Sequence, residues 1–275
     1  MESTMDIRVR PGQLSDEQIK RASDLLFQCW TEGHRVAALP ESFRPATRAE
    51  GYAIQALLEQ HSGKPLYGWK IAATSVAGQK HIGVDGPLAG RLLAERVWAM
   101  GAKIPMRANY MRVAEVEFAF RMARELAPRK SQYEMREVLG AVASLHPAIE
   151  IPDSRYDDFA AVGAPQLIAD NACAHYFVLG PATPLDWRTR DLAEHRVTAR
   201  LTGKPPVEGK GANVLGDPRL GLTWLANELS QLGIPLKAGQ VITTGTCVTP
   251  MRIAPGDELS ADFGVLGAVA ASFSE

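Results

Sequence analysis

Residues 113–120, which read VAEVEFAF, and residues 147–152, which read PAIEIP, decide how we interpret this chain. Side chains alternate between the two faces of a β-strand. Read as strands, the first stretch therefore puts Glu115 and Glu117 on one face, while the valine and phenylalanines between and after them bury on the other. In the second stretch Glu150 points away from the isoleucines on either side. The two stretches together predict acidic side chains on one face of a β-rich core.

Neighbouring carboxylates on a pleated surface repel one another, and partial burial increases that cost. A bound cation relieves the repulsion, and oxygen ligands without a nearby His or Cys pair favour Mg²⁺ or Mn²⁺ over zinc or copper. Two alternatives stay open here, because many Glu-x-Glu pairs lie on solvated faces and residues 114–126 are also rich in helix formers. Glu150 favours a site, since a short apolar run bounded by prolines is a poor place for a solvated carboxylate.

The composition is that of an ordinary globular protein: 275 residues, 46% hydrophobic and 22% charged, with a net charge of -1. This length allows one large domain or two small ones, and we expect a single domain over residues 1–275.

Positive and negative charges are interspersed along the sequence, so no basic surface for nucleic acid or an anionic membrane is predicted. No stretch reaches the ~18 to 20 apolar residues of a membrane span. Residues 1–11 lack the apolar core of a signal peptide. Three separated cysteines form no metal or redox spacing, so we expect a cytoplasmic location.

Capping signals predict four helices. Two open the chain, over residues 15–33 and 47–63; a third starts at Ser131 and must stop before Pro147. A fourth covers residues 217–233 and is expected to bury Leu220, Trp224, Leu225 and Leu229. The first three predictions rest on capping boxes: Ser15 with Gln18, Thr47 with Glu50, and Ser131 with Glu134. The fourth rests on Asp217 as N-cap, Pro218 in the first turn and Gly233 as C-cap.

Outside these helices, the sequence has the pattern of short β-strands bounded by Gly and Pro. The expected strands are 67–72, 113–120, 148–151, 175–179, 195–201 and 241–244, with a hairpin-like close formed by 258–263 and 265–273. Helices and strands do not alternate regularly, which argues against a doubly wound sheet. The sequence therefore predicts an α+β fold, with a helical N-terminal part over residues 1–65 and a β-rich catalytic core over residues 66–275.

Two further charged residues stand out. Lys70 lies in an otherwise apolar strand, GWKIAATS, residues 68–75; it is either a surface lysine with a buried stem or a partly buried ammonium that binds an anion or exchanges protons. Asp85 lies in the Gly/Pro loop HIGVDGP, where an aspartate commonly just bonds local backbone. The glycines of residues 209–216 lack the spacing of a phosphate-binding loop, and Cys173 is expected to be a small buried residue.

Ten short stretches of the sequence, taken in chain order, resemble the 2-keto-4-pentenoate hydratase family. That family belongs to the fumarylacetoacetate hydrolase superfamily and includes the 4-oxalocrotonate decarboxylases. The resemblance covers almost the whole chain from about Leu14 onward, and the ordered set carries it. The matching stretches are residues 68–71, 74–75, 83–87, 115–117, 148–151, 153–155, 169–172, 178–180, 224–227 and 237–239.

The resemblance implies a site in which Glu115, Glu117 and Glu150 hold Mg²⁺ or Mn²⁺, and in which Lys70 and Asp85 handle protons or position substrate. It implies the mixed β-rich fold of the fumarylacetoacetate hydrolase C-terminal-domain type. It also implies a homo-oligomer, associated with a pathway decarboxylase or aldolase. The implied activity is the addition of water to a 2-hydroxy-2,4-dienoate, a small 2-keto or 2-hydroxy acid, in aromatic-compound catabolism.

Three alternatives compete with hydration. A 4-oxalocrotonate-type decarboxylase would have to match a second substrate carboxylate, for which Arg155 and Lys80 are candidates; the stretch around Trp69, Cys173 and Ala174 is instead apolar and suits a neutral tail. An acylpyruvate C–C hydrolase is disfavoured because none of the six histidines has a glutamate three residues on. A non-catalytic, metal-stabilised oligomer would need the carboxylates but neither the lysine nor the aspartate of the site.

Overall fold

The structure of the protein is a computed structural model that describes residues 13–107 and 109–275. Residues 1–11, for which the sequence predicts no signal peptide, lie outside the described residues. The helices are α1 (Asp16–Glu32), α2 (Arg48–Ala56), α3 (Leu58–Ser62), α4 (Val76–His81), α5 (Met135–Leu139), α6 (Ala164–Ala169) and α7 (Pro218–Gln231). The strands are β1 (Gly68–Ala72), β2 (Leu88–Leu92), β3 (Val97–Trp98), β4 (Lys103–Pro105), β5 (Val113–Met122), β6 (Val142–Ile151), β7 (Tyr176–Leu179), β8 (Arg196–Leu201), β9 (Val207–Lys210), β10 (Val241–Thr246), β11 (Met251–Arg252), β12 (Glu258–Asp262) and β13 (Ala268–Ser274).

A large mixed sheet has the strand order β2-β1-β10-β5-β6-β7-β3, and β11 adds to β5. Residues 93–96 alone separate β2 from β3 along the chain, so the two outer strands lie near each other and the sheet is strongly curved. Five strands of this sheet each contribute one side chain to a small buried cluster on one face of the sheet, composed of Leu92, Ala119, Ala148, Phe177 and Val241. Because side chains alternate, the same face of β5 and β6 carries the three glutamates.

A second sheet, of order β4-β13-β12-β8-β9, packs over the opposite face of β5. Val116, Phe118 and Phe120 belong to the main core, and the Phe118 ring meets the Phe263 ring edge-on at 5.0 Å between centroids. The apolar face predicted for β5 is thus buried between the sheets. Mixed sheets with flanking helices confirm the predicted α+β class.

The N-terminal helices form as their capping signals predict. Both reciprocal hydrogen bonds of the capping box are present at Ser15 and at Thr47. The second helix is interrupted at Leu57, so residues 47–63 hold two helices, α2 and α3. The Trp30 indole of α1 donates to Nδ1 of His175 at 2.7 Å, and Gln55 of α2 donates to the carbonyls of Ala89 and Ile168. These buried contacts attach the helices to the large sheet.

The start predicted for the third helix, at Ser131, is wrong, whereas its predicted end before Pro147 is confirmed. The helix α5 has Glu134 as its N-cap, with Glu137 completing the capping box, and it ends after five residues at Leu139. The strand β6 then passes through Pro147, whose Cα pairs with that of Phe118. A proline usually marks the end of a central strand; here its carbonyl accepts from Gly180, and pairing with β5 continues on both sides.

Helix α7 begins at the predicted N-cap, Asp217, whose side chain accepts from the amide of Arg219. Leu225 and Leu229 are buried as predicted and Trp224 is partly buried, but the predicted burial of Leu220 is wrong, because this side chain is 46% exposed. The stripe that faces the core consists of Leu222, Leu225, Ala226 and Leu229. None of the helices in the described part of the chain is long and apolar enough to cross a membrane.

Candidate metal centre

Strand pairing brings the three glutamates together. Glu115 on β5 and Glu150 on β6 are direct partners across the antiparallel pair, and Glu117 lies two residues further along β5. One carboxylate oxygen of each residue lies within 4.8 Å of the other two. Glu117 and Glu150 are fully buried, and Glu115 is partly exposed. The cluster therefore opens towards solvent at Glu115 alone.

A bulge in β10 holds the Glu117 carboxylate by one oxygen. The pairing of β10 with β5 shifts between Thr243 and Thr246. As a result, the Thr243 hydroxyl and the Gly245 amide, the latter at 2.7 Å, both donate to Oε2 of Glu117. Gly245 has φ of +103°, and a Cβ there would lie 1.9 Å from Oγ1 of Thr74. The bulge thus requires glycine and leaves Oε1 of Glu117 for another ligand.

Three buried carboxylate oxygens have no hydrogen-bond partner among residues 13–107 and 109–275: Oε1 of Glu117 and both oxygens of Glu150. The Lys70 ammonium lies 3.5 Å from Oε2 of Glu150, which is long for a hydrogen bond. Unpartnered buried acceptors are costly, and a hard divalent cation would satisfy all three at once. The oxygen-only donor set fits Mg²⁺ or Mn²⁺.

The pKa values of these carboxyls reflect their burial without a cation. Burial raises the pKa of Glu150 well above its ordinary value, although Lys70 opposes the shift. Burial and then repulsion from Glu115 raise the pKa of Glu117 to about 7. Burial also raises the pKa of Glu115. A divalent ion would stabilise the ionised forms and reverse these shifts.

Lys70 is buried inside the cluster. Its Cα pairs with that of Thr243 on β10, and its ammonium donates to the carbonyl of Ala172 at 3.2 Å. Burial alone would lower the pKa of Lys70, but Glu150 and then the other two glutamates raise it above the ordinary value. Lys70 is therefore a buried ammonium, and the alternative of a surface lysine does not hold. Gly90 of β2 makes room for it, since a Cβ there would lie 3.1 Å from Cγ of Lys70.

The structure does not bring Asp85 to this cluster. Its side chain is 88% exposed, and Nη1 of Arg48 lies 3.5 Å from its carboxylate. Lys80, on α4, is exposed as well. The proton-handling role of Asp85 stays a prediction.

Two residues that the sequence suggested for a substrate pocket have other surroundings. The Arg155 guanidinium is buried and donates to Asp170 and to the carbonyls of Asp153 and Ala174, so it is not free to match a second substrate carboxylate. Trp69 lies on the face of β1 opposite Lys70, within the main core, and the Arg91 guanidinium stacks on its ring at 4.6 Å.

Cys173 lies next to the cluster in a buried turn. Residues 171–173 all have positive φ, and the turn presents the Ala172 carbonyl to Lys70. Burial raises the pKa of Cys173 to about 12, so this side chain is a neutral thiol, as expected for a small buried residue. No pattern in the sequence indicates the role of this turn or of Thr243; for Gly245 the one signal is a glycine inside a strand.

Comparison with known proteins gives concordant matches. The family model described as "Fumarylacetoacetate (FAA) hydrolase C-terminal" matches residues 85–274. A 2-keto-4-pentenoate hydratase of Paraburkholderia xenovorans is 32% identical over 263 residues, which cover 94% of this chain and 96% of the relative. A 2-hydroxyhexa-2,4-dienoate hydratase of Comamonas testosteroni is 30% identical over 268 residues, which cover 95% of this chain and 100% of the relative.

Among solved structures, the 4-oxalocrotonate decarboxylase of Pseudomonas putida, complexed with magnesium and adipate, superposes with a TM-score of 0.86 and 26% identity. The match covers 95% of this chain and 99% of the decarboxylase. This chain therefore belongs to the fumarylacetoacetate hydrolase family, in the group that contains the 2-keto-4-pentenoate hydratases and the 4-oxalocrotonate decarboxylases.

Proposed function

We propose that this protein is a lyase that uses Mg²⁺ or Mn²⁺ to add water to a 2-hydroxy-2,4-dienoate. The observation that carries the proposal is the buried trio of Glu115, Glu117 and Glu150 beside a buried, charged Lys70. A purely structural metal site would have no use for that ammonium. The names of the relatives, 2-keto-4-pentenoate hydratase and 2-hydroxyhexa-2,4-dienoate hydratase, support the same reaction.

The substrate class follows from the donor set. A 2-hydroxy-2,4-dienoate, or its 2-keto tautomer, offers a carboxylate oxygen and a 2-oxygen that together form a five-membered chelate. Held by the three glutamates, the ion would supply the positive charge that stabilises negative charge on the 2-oxygen. Glu115, the partly exposed member, leaves the open side of the cluster for the substrate.

Lys70 is the proposed proton carrier. An ammonium has three N–H donors; one reaches the Ala172 carbonyl, and a second is left for Glu150, whose Oε2 lies 3.5 Å from Nζ. The third can serve the substrate during tautomerisation to the 2-oxo-3-enoate, after which C4 is electrophilic and accepts water. Asp85 stays in the proposal as a second proton-handling group, on the strength of the sequence resemblance.

Decarboxylation of a 4-oxalocrotonate-type diacid is the second candidate, because the structural relative with a TM-score of 0.86 is such a decarboxylase complexed with the diacid adipate. Hydration is favoured because the two buried arginines, Arg155 and Arg91, are already paired with other side chains. Arg155 is bound to Asp170, and Arg91 is bound to Glu59 and Gln55. Neither guanidinium is available for a distal carboxylate.

We also propose that residues 1–275 form one domain and that the protein works as a homo-oligomer in the cytoplasm. The buried bond between Trp30 and His175 supports one domain, and the three free cysteines, all buried, are consistent with a reducing compartment. Association with a pathway decarboxylase or aldolase stays a prediction from the resemblance.

The decisive experiment incubates purified protein with a 2-hydroxy-2,4-dienoate and, separately, with a 4-oxalocrotonate-type diacid, with Mg²⁺ and after exhaustive chelation. We expect loss of dienoate absorbance that needs the metal and is abolished in Glu117→Gln. A matched control is Glu194→Gln, an exposed glutamate that pairs with Lys210. Stoichiometric CO₂ from the diacid without hydrated product would establish the second candidate, and full activity without metal would overturn both.

A further inference from the structure

The turn formed by residues 171–173 is strained. Asn171, Ala172 and Cys173 have φ of 57°, 49° and 60°, a region that L-residues other than glycine avoid because Cβ approaches the following carbonyl. Three such residues in a row persist only when their surroundings fix them. All three residues are buried, so the groups that hold them in this conformation belong to the surrounding protein.

Hydrogen bonds from Arg155, which is itself paired with Asp170, hold both ends of this turn. The Arg155 guanidinium donates to the carbonyl of Asp170 before the turn and to that of Ala174 after it, the latter at 3.2 Å. Its Nε donates to the Asp170 carboxylate, which also accepts from the Ser154 hydroxyl at 2.6 Å and the Arg155 amide at 3.0 Å. Both side chains are almost completely buried.

The centre of the turn touches the site. The carbonyl of Ala172 accepts from the Lys70 ammonium at 3.2 Å. Next to it, the Asn171 side chain accepts from the amide of Arg91 and donates to its carbonyl, at 2.6 and 2.9 Å. These bonds fix the turn against β2, the neighbour of the strand that carries Lys70. The position of the ammonium therefore depends on the conformation of the turn.

We propose that Arg155 and Asp170 are positioning residues, which hold residues 171–173 in the left-handed conformation that sets the Ala172 carbonyl, and with it the Lys70 ammonium, for proton transfer. The inference rests on the proposed function of Lys70. A buried ion pair can also serve stability alone, so the test must separate the two roles.

The chain offers a matched control. Arg91 is as buried as Arg155 and also pairs with a carboxylate, Glu59, but its side chain stacks on Trp69 on the face of the sheet away from Lys70. Asn171 of the turn bonds to the backbone amide and carbonyl of Arg91, which a lysine at this position retains. Lysine keeps the charge at either position and loses the fork of donors. Arg155→Lys and Arg91→Lys should therefore both lower the melting temperature.

Only Arg155→Lys should impair the chemistry. We expect kcat to fall by roughly tenfold to a hundredfold, the scale of a misplaced catalytic group, with KM and the calorimetric Mg²⁺ affinity each changed by less than about threefold. Arg91→Lys should leave kcat within about twofold. Equal effects of the two substitutions on kcat, or a loss of Mg²⁺ affinity that parallels the loss of kcat, would overturn the proposal.

Hydrogen exchange gives a readout that does not depend on turnover. The amides of Cys173 and Ala174 bond within the turn, to Asp170 and Asn171. We expect their exchange to accelerate in Arg155→Lys and not in Arg91→Lys. Unchanged exchange would refute the positioning role even in an active enzyme, whereas a wild-type protein without dienoate turnover would refute only the proposed function. If Arg155→Lys does not fold, Asp170→Asn tests the same expectations, because it keeps one oxygen to accept from Nε of Arg155 and replaces the oxygen that accepts from Ser154 and the Arg155 amide with a donor.

Discussion

Lys70 keeps a positive charge in a place where burial alone would remove it, because three glutamates surround it. Replacing it by methionine keeps the length of the side chain and removes the proton carrier. We expect Lys70→Met to lower kcat by roughly 10²- to 10⁴-fold, the usual scale for a lost acid–base group. Mg²⁺ affinity should not weaken, because the substitution removes a cation that repels the ion.

Steady-state kinetics and isothermal titration calorimetry measure the two effects separately. The control is Lys210→Met, an exposed lysine that pairs with Glu194 at 2.9 Å, for which wild-type kinetics are expected. Wild-type kcat in Lys70→Met would remove this residue from the mechanism.

The residues of the candidate site differ in how far the sequence could predict them. Alternation within one strand and an apolar neighbourhood pointed to the three glutamates and to Lys70, since both signals are local. No local signal reveals that Arg155 binds Asp170, fifteen positions away, or that Thr243 reaches Glu117 across 126 positions. Such pairs depend on the register between distant strands and on turns whose φ values the sequence does not specify.

Among the elements, β10 does most to orient a ligand, because its bulge aims two donors at one oxygen of Glu117. We expect Gly245→Ala to destabilise the protein, since the added Cβ meets Thr74 and the φ of +103° is unfavourable for alanine. Overpacking of this kind costs about 1–3 kcal/mol beyond the backbone strain. Mg²⁺ affinity should also fall, by roughly tenfold to a hundredfold, the scale for a lost partner of a metal ligand.

Gly256→Ala is the matched control for this prediction. Gly256 also has positive φ, +92°, but a Cβ there meets nothing within 4 Å. It should show the backbone strain alone, about 1–2 kcal/mol, with unchanged Mg²⁺ affinity. Denaturant unfolding and calorimetry compare the two variants, and similar metal affinities would mean that the bulge does not orient Glu117.

Elements with strong local signals were predicted, and those that depend on their neighbours were not. Helix α1 has a complete capping box and ends at Gly33, which adopts the left-handed conformation. Strand β6 continues through Pro147 because β5 and β7 flank it on both sides, a context that outweighs the local preference against proline. Short strands such as β3 and β11 have two residues each, too few for an alternation to be recognised.

The molecule as a whole should unfold in one step, because a side chain of α1 is built into the core. Trp30 stacks on Arg96 and Arg155, at 4.9 and 4.5 Å, and donates to His175. We expect Trp30→Ala to cost about 3–5 kcal/mol and to lower the midpoint of one denaturant transition. Met100→Ala, at a side chain 49% exposed, should leave the midpoint unchanged. Two transitions in Trp30→Ala, one of them at the wild-type midpoint, would mean that the helical part folds separately.

Stability should also depend on pH in a direction set by the buried carboxyls. The pKa of Glu117 is raised from the ordinary 4.5 to about 7, and burial raises the pKa of Glu150 well above its ordinary value. A carboxyl whose pKa is higher in the folded state binds its proton more tightly there. Its contribution to stability is therefore present in full below pH 4.5 and is lost as the pH rises through the folded-state pKa. For Glu117 alone this amounts to on the order of 3 kcal/mol.

Histidines act in the opposite sense over part of the same range. Burial lowers the pKa of three of them, His61, His146 and His175. A histidine with a lowered pKa destabilises the folded state as the pH falls below its ordinary value. The absolute pH profile therefore mixes two trends, and a comparison between variants isolates the carboxyls.

We expect that, in chelator, the melting temperature of wild type falls relative to that of Glu117→Gln as the pH rises from about 4.5 to 8. The reason is that glutamine at this position has no proton to lose. Saturating Mg²⁺ should abolish the difference or reverse it, because the ion binds only the folded, ionised site and stabilises it by mass action. Glu194→Gln, at an exposed pair, should follow wild type at every pH. A constant difference between wild type and Glu117→Gln would show that Glu117 does not titrate in this range, and a difference that persists in Mg²⁺ would show that Glu117 does not bind the ion.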